Sequence, residues 1–228
     1  MHHPLLLGHR GARSVRSVTE NTLPSFDLAL QHGCDGFEFD VRSTADGEAV
    51  ICHDPAWHPP HSRSVEIARA TRNALLALPS LSEVLERYRQ QAFLDIELKV
   101  SGIEALVAPA LQASEPGPGL VVSSFLPEAL VAVHRTNSAL PLGLICENLQ
   151  QLERWPDLPV AFVIPHHRLL AAELLDSLHA AQKKVMVWTV NDAQAMQKFA
   201  AMGVDGIISD ETQLLVRTLG SPPPLANA

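Results

Sequence analysis

The strongest constraint on the fold is a change of hydrophobic period that repeats along the whole chain. Short apolar runs that read as strands alternate with longer stretches of helical spacing, and Gly, Pro, Asn or Asp marks each switch. The strand candidates are residues 4–9, 36–41, 49–53, 93–100, 120–124, 140–146, 160–164, 185–190 and 205–209. Helix candidates at 23–32, 82–90, 103–113, 127–135, 171–182 and 192–202 fall between them. One link is too short for a crossover helix. Only Arg42-Ser43-Thr44-Ala45-Asp46-Gly47-Glu48 joins the second run to the third, and its Asp-Gly pair suits a tight antiparallel hairpin. With that excursion set aside, eight βα units remain in 228 residues. They predict an α/β fold, a single (β/α)₈ TIM barrel with a small hairpin and loop excursion after the second strand. An open flavodoxin-like sheet is the competing arrangement, but it would need only about five strands.

No Pro/Gly/Ser linker and no fixed-period repeat divides the chain. Residues 1–218 are therefore expected to form one barrel domain, and residues 219–228, with Pro222-Pro223-Pro224, a flexible tail. Hydrophobic residues at 46% and charged residues at 18% supply a core and exclude a disordered chain. No apolar run reaches the roughly 18 residues of a membrane span, so no stable membrane insertion is expected. The first residues lack the basic start and apolar stretch of a secretory signal, which predicts a cytoplasmic protein. A net charge of −8 with no basic cluster excludes broad nucleic-acid binding. Cys34, Cys52 and Cys146 are odd in number and lack CxxC spacing, so neither a disulfide frame nor a zinc site is expected. The oligomeric state is not legible in the sequence.

In a parallel barrel the reactive groups project from the C-terminal ends of the strands, and four such ends carry polar residues. The first is Leu5-Leu6-Leu7-Gly8-His9-Arg10-Gly11, where His9 is either catalytic or a satisfied structural histidine. In Phe37-Glu38-Phe39-Asp40-Val41, period-2 alternation puts Glu38 and Asp40 on one face. Two carboxylates so close stay ionised together most simply around a divalent cation; the alternative is an amphipathic strand with a wet acidic face. Asp95-Ile96-Glu97-Leu98-Lys99-Val100 alternates in the same way. Glu97 can complete an all-oxygen metal site, Lys99 either meets a phosphate or pairs with a neighbouring acid, and Asp95 lies a layer deeper. The fourth end is Cys52-His53-Asp54, which the hairpin would bring back beside Glu38. Adjacent residues of an extended strand face opposite ways, so Asp54 is not expected to orient His53.

Together these ends place two imidazoles, three carboxylates, an arginine and a lysine on one rim. That set suits phosphodiester cleavage: a hard cation polarises the phosphoryl group, cations offset charge on its oxygens, and two imidazoles move protons. Hydride and acyl transfer fit poorly, because GxGxxG, P-loop, GxSxG and HExxH motifs are all missing.

These residues resemble the glycerophosphodiester phosphodiesterases, (β/α)₈ barrels of the phosphatidylinositol-phospholipase-C-like group. The resemblance rests on His9-Arg10-Gly11, Glu20-Asn21-Thr22-Leu23, Glu38-Phe39-Asp40, Asp46-Gly47, His53-Asp54, Glu97-Leu98-Lys99, Ser124-Phe125, Trp188-Thr189-Val190-Asn191 and Val204 to Asp210. It implies that Glu38, Asp40 and Glu97 bind one Mg²⁺ or Ca²⁺, that His9 and His53 are the acid-base pair, and that Arg10 and Lys99 contact phosphate. Phe125 and Trp188 would line the alcohol pocket, with barrel packing as their alternative role. Glu20 would support the Arg10 loop. The implied activity is hydrolysis of a small-molecule glycerophosphodiester to glycerol 3-phosphate and an alcohol. One departure stands out: the family usually continues after His-Asp with a Leu-x-Arg-Thr type segment and a longer covering insertion. Here residues 55–80 are short and begin Pro-Ala-Trp-His-Pro-Pro. Lysophospholipase-D-like activity on acylated lysophospholipids is therefore an alternative, as is a non-catalytic barrel that binds a phosphorylated metabolite.

Overall fold

The computed structural model describes residues 3–60, 62–112 and 117–220. In chain order its elements are β1 (Leu5–His9), α1 (Leu23–Gln31), β2 (Gly36–Ser43), β3 (Ala49–Ile51), β4 (Ala56–Trp57) and β5 (Val65–Glu66). Then come α2 (Leu81–Tyr88), β6 (Phe93–Leu98), α3 (Glu104–Gln112), β7 (Leu120–Ser124), α4 (Pro127–Thr136), β8 (Leu142–Cys146) and α5 (Leu149–Leu152). The last are β9 (Phe162–Pro165), α6 (Ala172–Ala180), β10 (Lys184–Val187), α7 (Ala193–Met202), β11 (Gly206–Ser209) and α8 (Thr212–Leu219). Residues 221–228 of the expected tail lie outside the described residues.

Eight strands pair in parallel in the order β1-β11-β10-β9-β8-β7-β6-β2, and pairing of β1 with β2 closes the barrel. The expected (β/α)₈ architecture is therefore present. β3 runs antiparallel to β2, with Val41 opposite Ile51, and the connecting turn uses Gly47 at φ 79°. Thr44 locks that turn: its hydroxyl donates to Asp46 Oδ1 at 2.6 Å and accepts the Glu48 N–H at 2.9 Å. β3 is shorter than the run at 49–53 suggests. The Cys52 N–H still reaches the Asp40 carbonyl, but the chain then turns before Pro55, which has no N–H to continue a ladder.

Strand alternation divides two cores. Outward-facing Phe37, Phe39 and Val41 pack under the helices, with Phe26 of α1 stacked on Phe37 at 4.3 Å between ring centroids. Inward-facing Leu7, Phe93, Val121, Ile145, Phe162, Ile164, Met186 and Ile208 fill the barrel below its mouth. Helices start where side chains satisfy the first free N–H groups: Ser80 and Glu83 form a reciprocal capping box on α2, and Asp192 caps α7. The segment after His53 forms the two-stranded β4–β5 sheet and two short 3₁₀ turns. The three cysteines are free, Cys34 and Cys146 being buried. No helix among the described residues is long and apolar enough to cross a membrane.

Candidate active site

Parallel register stacks the polar strand ends into two rungs. His9 of β1 is level with Glu38 of β2, which is level with Asp95 of β6; one step up, Asp40 is level with Glu97 and then Ser123 of β7. Because side chains alternate, all of these face inward. Glu38, Asp40 and Glu97 are buried, and each offers a carboxylate oxygen within 4.8 Å of the other two. The chain leaves β1 through left-handed backbone at Arg10 (φ 52°) and Gly11 (φ 84°), and this bend aims the Arg10 N–H at Glu38 Oε2, 2.9 Å away. At Gly11 any Cβ would collide with Ser25, so the tight approach of the loop to α1 requires glycine.

The partners of each group define the electrostatics. Asp40 Oδ2 accepts from Asn21 Nδ2 at 2.7 Å and lies 3.3 Å from Arg10 Nε, while its Oδ1 lies 3.3 Å from Lys99 Nζ. Burial alone would raise the Asp40 pKa, but Lys99, Arg10 and Asn21 hold it below the ordinary carboxylate range. Glu38 has no such cluster of donors, and burial, then Asp40, Glu97 and Asp95, push it well above that range. Burial, with Asp40, pushes Glu97 up to about 7 despite its 2.6 Å contact with Lys99. Burial likewise raises Asp95 to about 7, although Ser123 donates to it.

Glu38 Oε1 and Asp40 Oδ1 are buried and receive no hydrogen bond. Three inward carboxylates, two of them disfavoured as anions by burial and by one another, with two oxygens lacking donors, form an all-oxygen set that fits a hard divalent cation. Mg²⁺ and Ca²⁺ both belong to that class.

Both histidines are oriented by carboxylates. His9 Nδ1 lies 2.7 Å from Asp210 Oδ1, and Nε2 lies 3.8 Å from Glu38 Oε2. Burial works against the Asp210 charge, yet His9, Asn191 and Arg13 hold its pKa far below the usual value. The ionised oxygen can only accept, so the proton sits on His9 Nδ1 and Nε2 faces the cavity. His53 Nδ1 lies 2.7 Å from Asp54 Oδ1, contrary to the expectation from strand alternation. The chain has already left the ladder at Ile51, so the opposed facing of extended neighbours no longer holds. Arg42 Nε and Nη2 clamp the carbonyl of His53 at 2.9 and 2.6 Å. Burial lowers the His53 pKa, which Asp40 and Asp54 partly offset.

A cavity of about 260 Å³ gathers His9, Arg10, Glu38, His53, Glu97 and Lys99 with Phe125 and Trp188. Asp40, the ninth predicted site residue, lies just beneath these and is almost wholly covered. Of the two roles open to Lys99, the structure shows pairing with neighbouring acids. Phe125 and Trp188 line the cavity and also pack edge to face, 5.5 Å between centroids. Glu20 supports the loop as expected, bonding Arg10 at 2.8 Å and Arg13 at 2.6 Å. Asp210, Asn21 and Glu147 were not anticipated. Asp210 could have been found from its place directly after an apolar strand, the same signal that marked His9.

The Glycerophosphoryl diester phosphodiesterase family model matches residues 9–104 and 72–214. A glycerophosphodiester phosphodiesterase of Caldanaerobacter subterraneus subsp. tengcongensis is 27% identical over 93% of this chain and 96% of its own length. A phosphodiesterase of Oleispira antarctica, solved in complex with the product sn-glycerol-3-phosphate, is 27% identical with a TM-score of 0.85 over 96% of this chain and 98% of that one. The glycerophosphodiester phosphodiesterase of Thermotoga maritima is 28% identical, with a TM-score of 0.79 over 95% of this chain and 99% of that one.

Proposed function

The chain belongs to the glycerophosphoryl diester phosphodiesterase family and is an enzyme of that class, and we propose that it hydrolyses glycerophosphodiesters to glycerol 3-phosphate and an alcohol with a divalent cation on Glu38, Asp40 and Glu97. The observation that carries this reading is the meeting of that carboxylate triad with His9, His53, Arg10 and Lys99 at one cavity. When bound, the cation supplies charge that keeps all three carboxylates ionised and polarises the phosphoryl group.

The protein's own groups do the rest. Arg10 and Lys99 hold the non-bridging phosphate oxygens, Arg10 as a planar fork and Lys99 as a point charge released from part of its carboxylate pairing. One imidazole takes the proton of the attacking hydroxyl and the other returns a proton to the departing alkoxide. Asp210 and Asp54 keep each ring in a fixed tautomer and stabilise its protonated form. Phe125 and Trp188 cover the alcohol side and exclude water from it.

Turnover of glycerophosphocholine should vanish in excess chelator and return with Mg²⁺ or Ca²⁺. His9→Ala and His53→Ala should each lose about 10²- to 10⁴-fold in kcat. Full activity in chelator, or an unaffected His9→Ala enzyme, would refute the mechanism.

A second cavity of about 390 Å³ favours a second reading. It shares His53 and Asp54 with the chemistry and is walled by Ile51, Cys52, Ala56, Trp57 and Leu78. An acyl chain on the substrate would find an apolar course there, which suits lysophospholipids. Comparing head-group-only with monoacyl substrates separates the two readings.

A further inference from the structure

The chemistry above leaves one carboxylate at the cavity without a task. Glu147 directly follows β8, which stands four strands from β1 in the closed barrel, so it enters the mouth across from His9 and Arg10. Its N–H is held by Gln151 Oε1 at 2.7 Å, which fixes the backbone and leaves the carboxylate exposed. The ion pairs among the described residues place Arg10 and Lys99 on Asp40, Glu97 and Glu20, and put no lysine or arginine on Glu147.

Phe125 and Trp188 line the cavity with it. Lys99 Nζ lies 5.7 Å from the Phe125 ring centroid, so this ring already faces a cation from the cavity side. Trp188 packs edge to face on both Phe125 and His166, which holds its ring in place. Burial, His167 and Arg168 lower the His166 pKa, and Glu147 opposes them, so the negative field of Glu147 reaches the Trp188 side of the mouth.

The cavity is thus bipolar, with Arg10 and Lys99 at one end and an unpaired carboxylate beside aromatic rings at the other. A neutral polyol would use only its cationic end. We propose that Glu147, together with Phe125 and Trp188, selects diesters whose alcohol is a cationic amino alcohol, bearing an ammonium or trimethylammonium group. This inference rests on the phosphodiesterase reading and adds the class of alcohol to it. The phosphate is drawn to Arg10 and Lys99 while the cation meets Glu147 and the aromatic walls.

The test compares kcat/KM for glycerophosphocholine and glycerophosphoethanolamine with that for glycerophosphoglycerol, in the metal-loaded wild-type enzyme, Glu147→Gln and Glu147→Lys. Wild type should favour the two cationic substrates. Glu147→Gln keeps the shape and hydrogen-bonding capacity and removes the charge, so the preference should fall about fivefold, the size of one exposed charge pair, and mainly through KM. Glu147→Lys should lower the preference further. A selectivity ratio that neither variant moves, or an equal loss on all three substrates, overturns the inference while leaving the phosphodiesterase reading intact. A folded wild-type enzyme inert toward all three diesters overturns the reading on which it rests.

Discussion

Asp210 shows how a carboxylate outside the metal set governs the site. It accepts from His9 and Asn191, pairs with Arg13, and thereby fixes which His9 nitrogen meets the cavity. Asp210→Asn would keep the size but present an amide able to donate to Nδ1, which favours the wrong tautomer. The expected result is a loss of about 10²-fold or more in kcat with KM little changed, read from steady-state kinetics. The same residue sets a pH dependence of stability. Its folded pKa lies below its unfolded value, so its contribution is fully present above about pH 4 and disappears as pH falls through the folded value. Urea midpoints measured from pH 6 to pH 3 should drop less steeply for Asp210→Asn than for wild type. The sequence displayed Asp210 at the end of an apolar strand but not its partner, which is 201 residues away. Asp54 was misread for a different reason: alternation describes a strand, and His53 lies beyond the end of one.

The elements most legible in the sequence are those whose period survives burial. β2 and β6 alternate apolar and acidic residues, and that alternation alone separates the helix-covered face from the cavity face. Asp46-Gly47 likewise announced the hairpin. α5 was invisible because four residues are too few to display a helical period, and Asn148 rather than an apolar stripe starts it. α8 was missed for lack of a start signal, since its N-cap Glu211 makes no side-chain cap bond. α2 shows the opposite case. Its Ser80 hydroxyl accepts the Glu83 N–H at 3.2 Å, and the Glu83 carboxylate accepts the Ser80 N–H at 2.7 Å. Ser80→Ala should therefore cost about 1 kcal/mol, read as a lower urea midpoint with an unchanged m-value. Because α2 packs behind β3 and β6 rather than in the cavity, kcat should be preserved.

At the scale of the molecule, barrel closure concentrates charge that the core would otherwise exclude. Each of Glu38, Asp40 and Glu97 is an ordinary inward-facing residue of its own strand; only the shared register of β2 and β6 brings them together. Burial and mutual repulsion raise Glu38 and Glu97, so in the absence of a cation this corner opposes folding. A cation that binds only the folded state must then stabilise it by mass action, by about 2.7 kcal/mol at a hundredfold excess over Kd. Thermal unfolding of the chelated wild type should accordingly shift upward on titration with Mg²⁺ or Ca²⁺, with no substrate present. Glu38→Gln removes one of the crowded charges, so its chelated form should melt above chelated wild type, while its response to either cation should be largely lost and hydrolysis with it. The double outcome matters because each half excludes a simpler account. A variant that merely damaged the fold would melt lower, and a triad that served only as internal ion pairs for Lys99 and Arg10 would give a wild type indifferent to divalent cations.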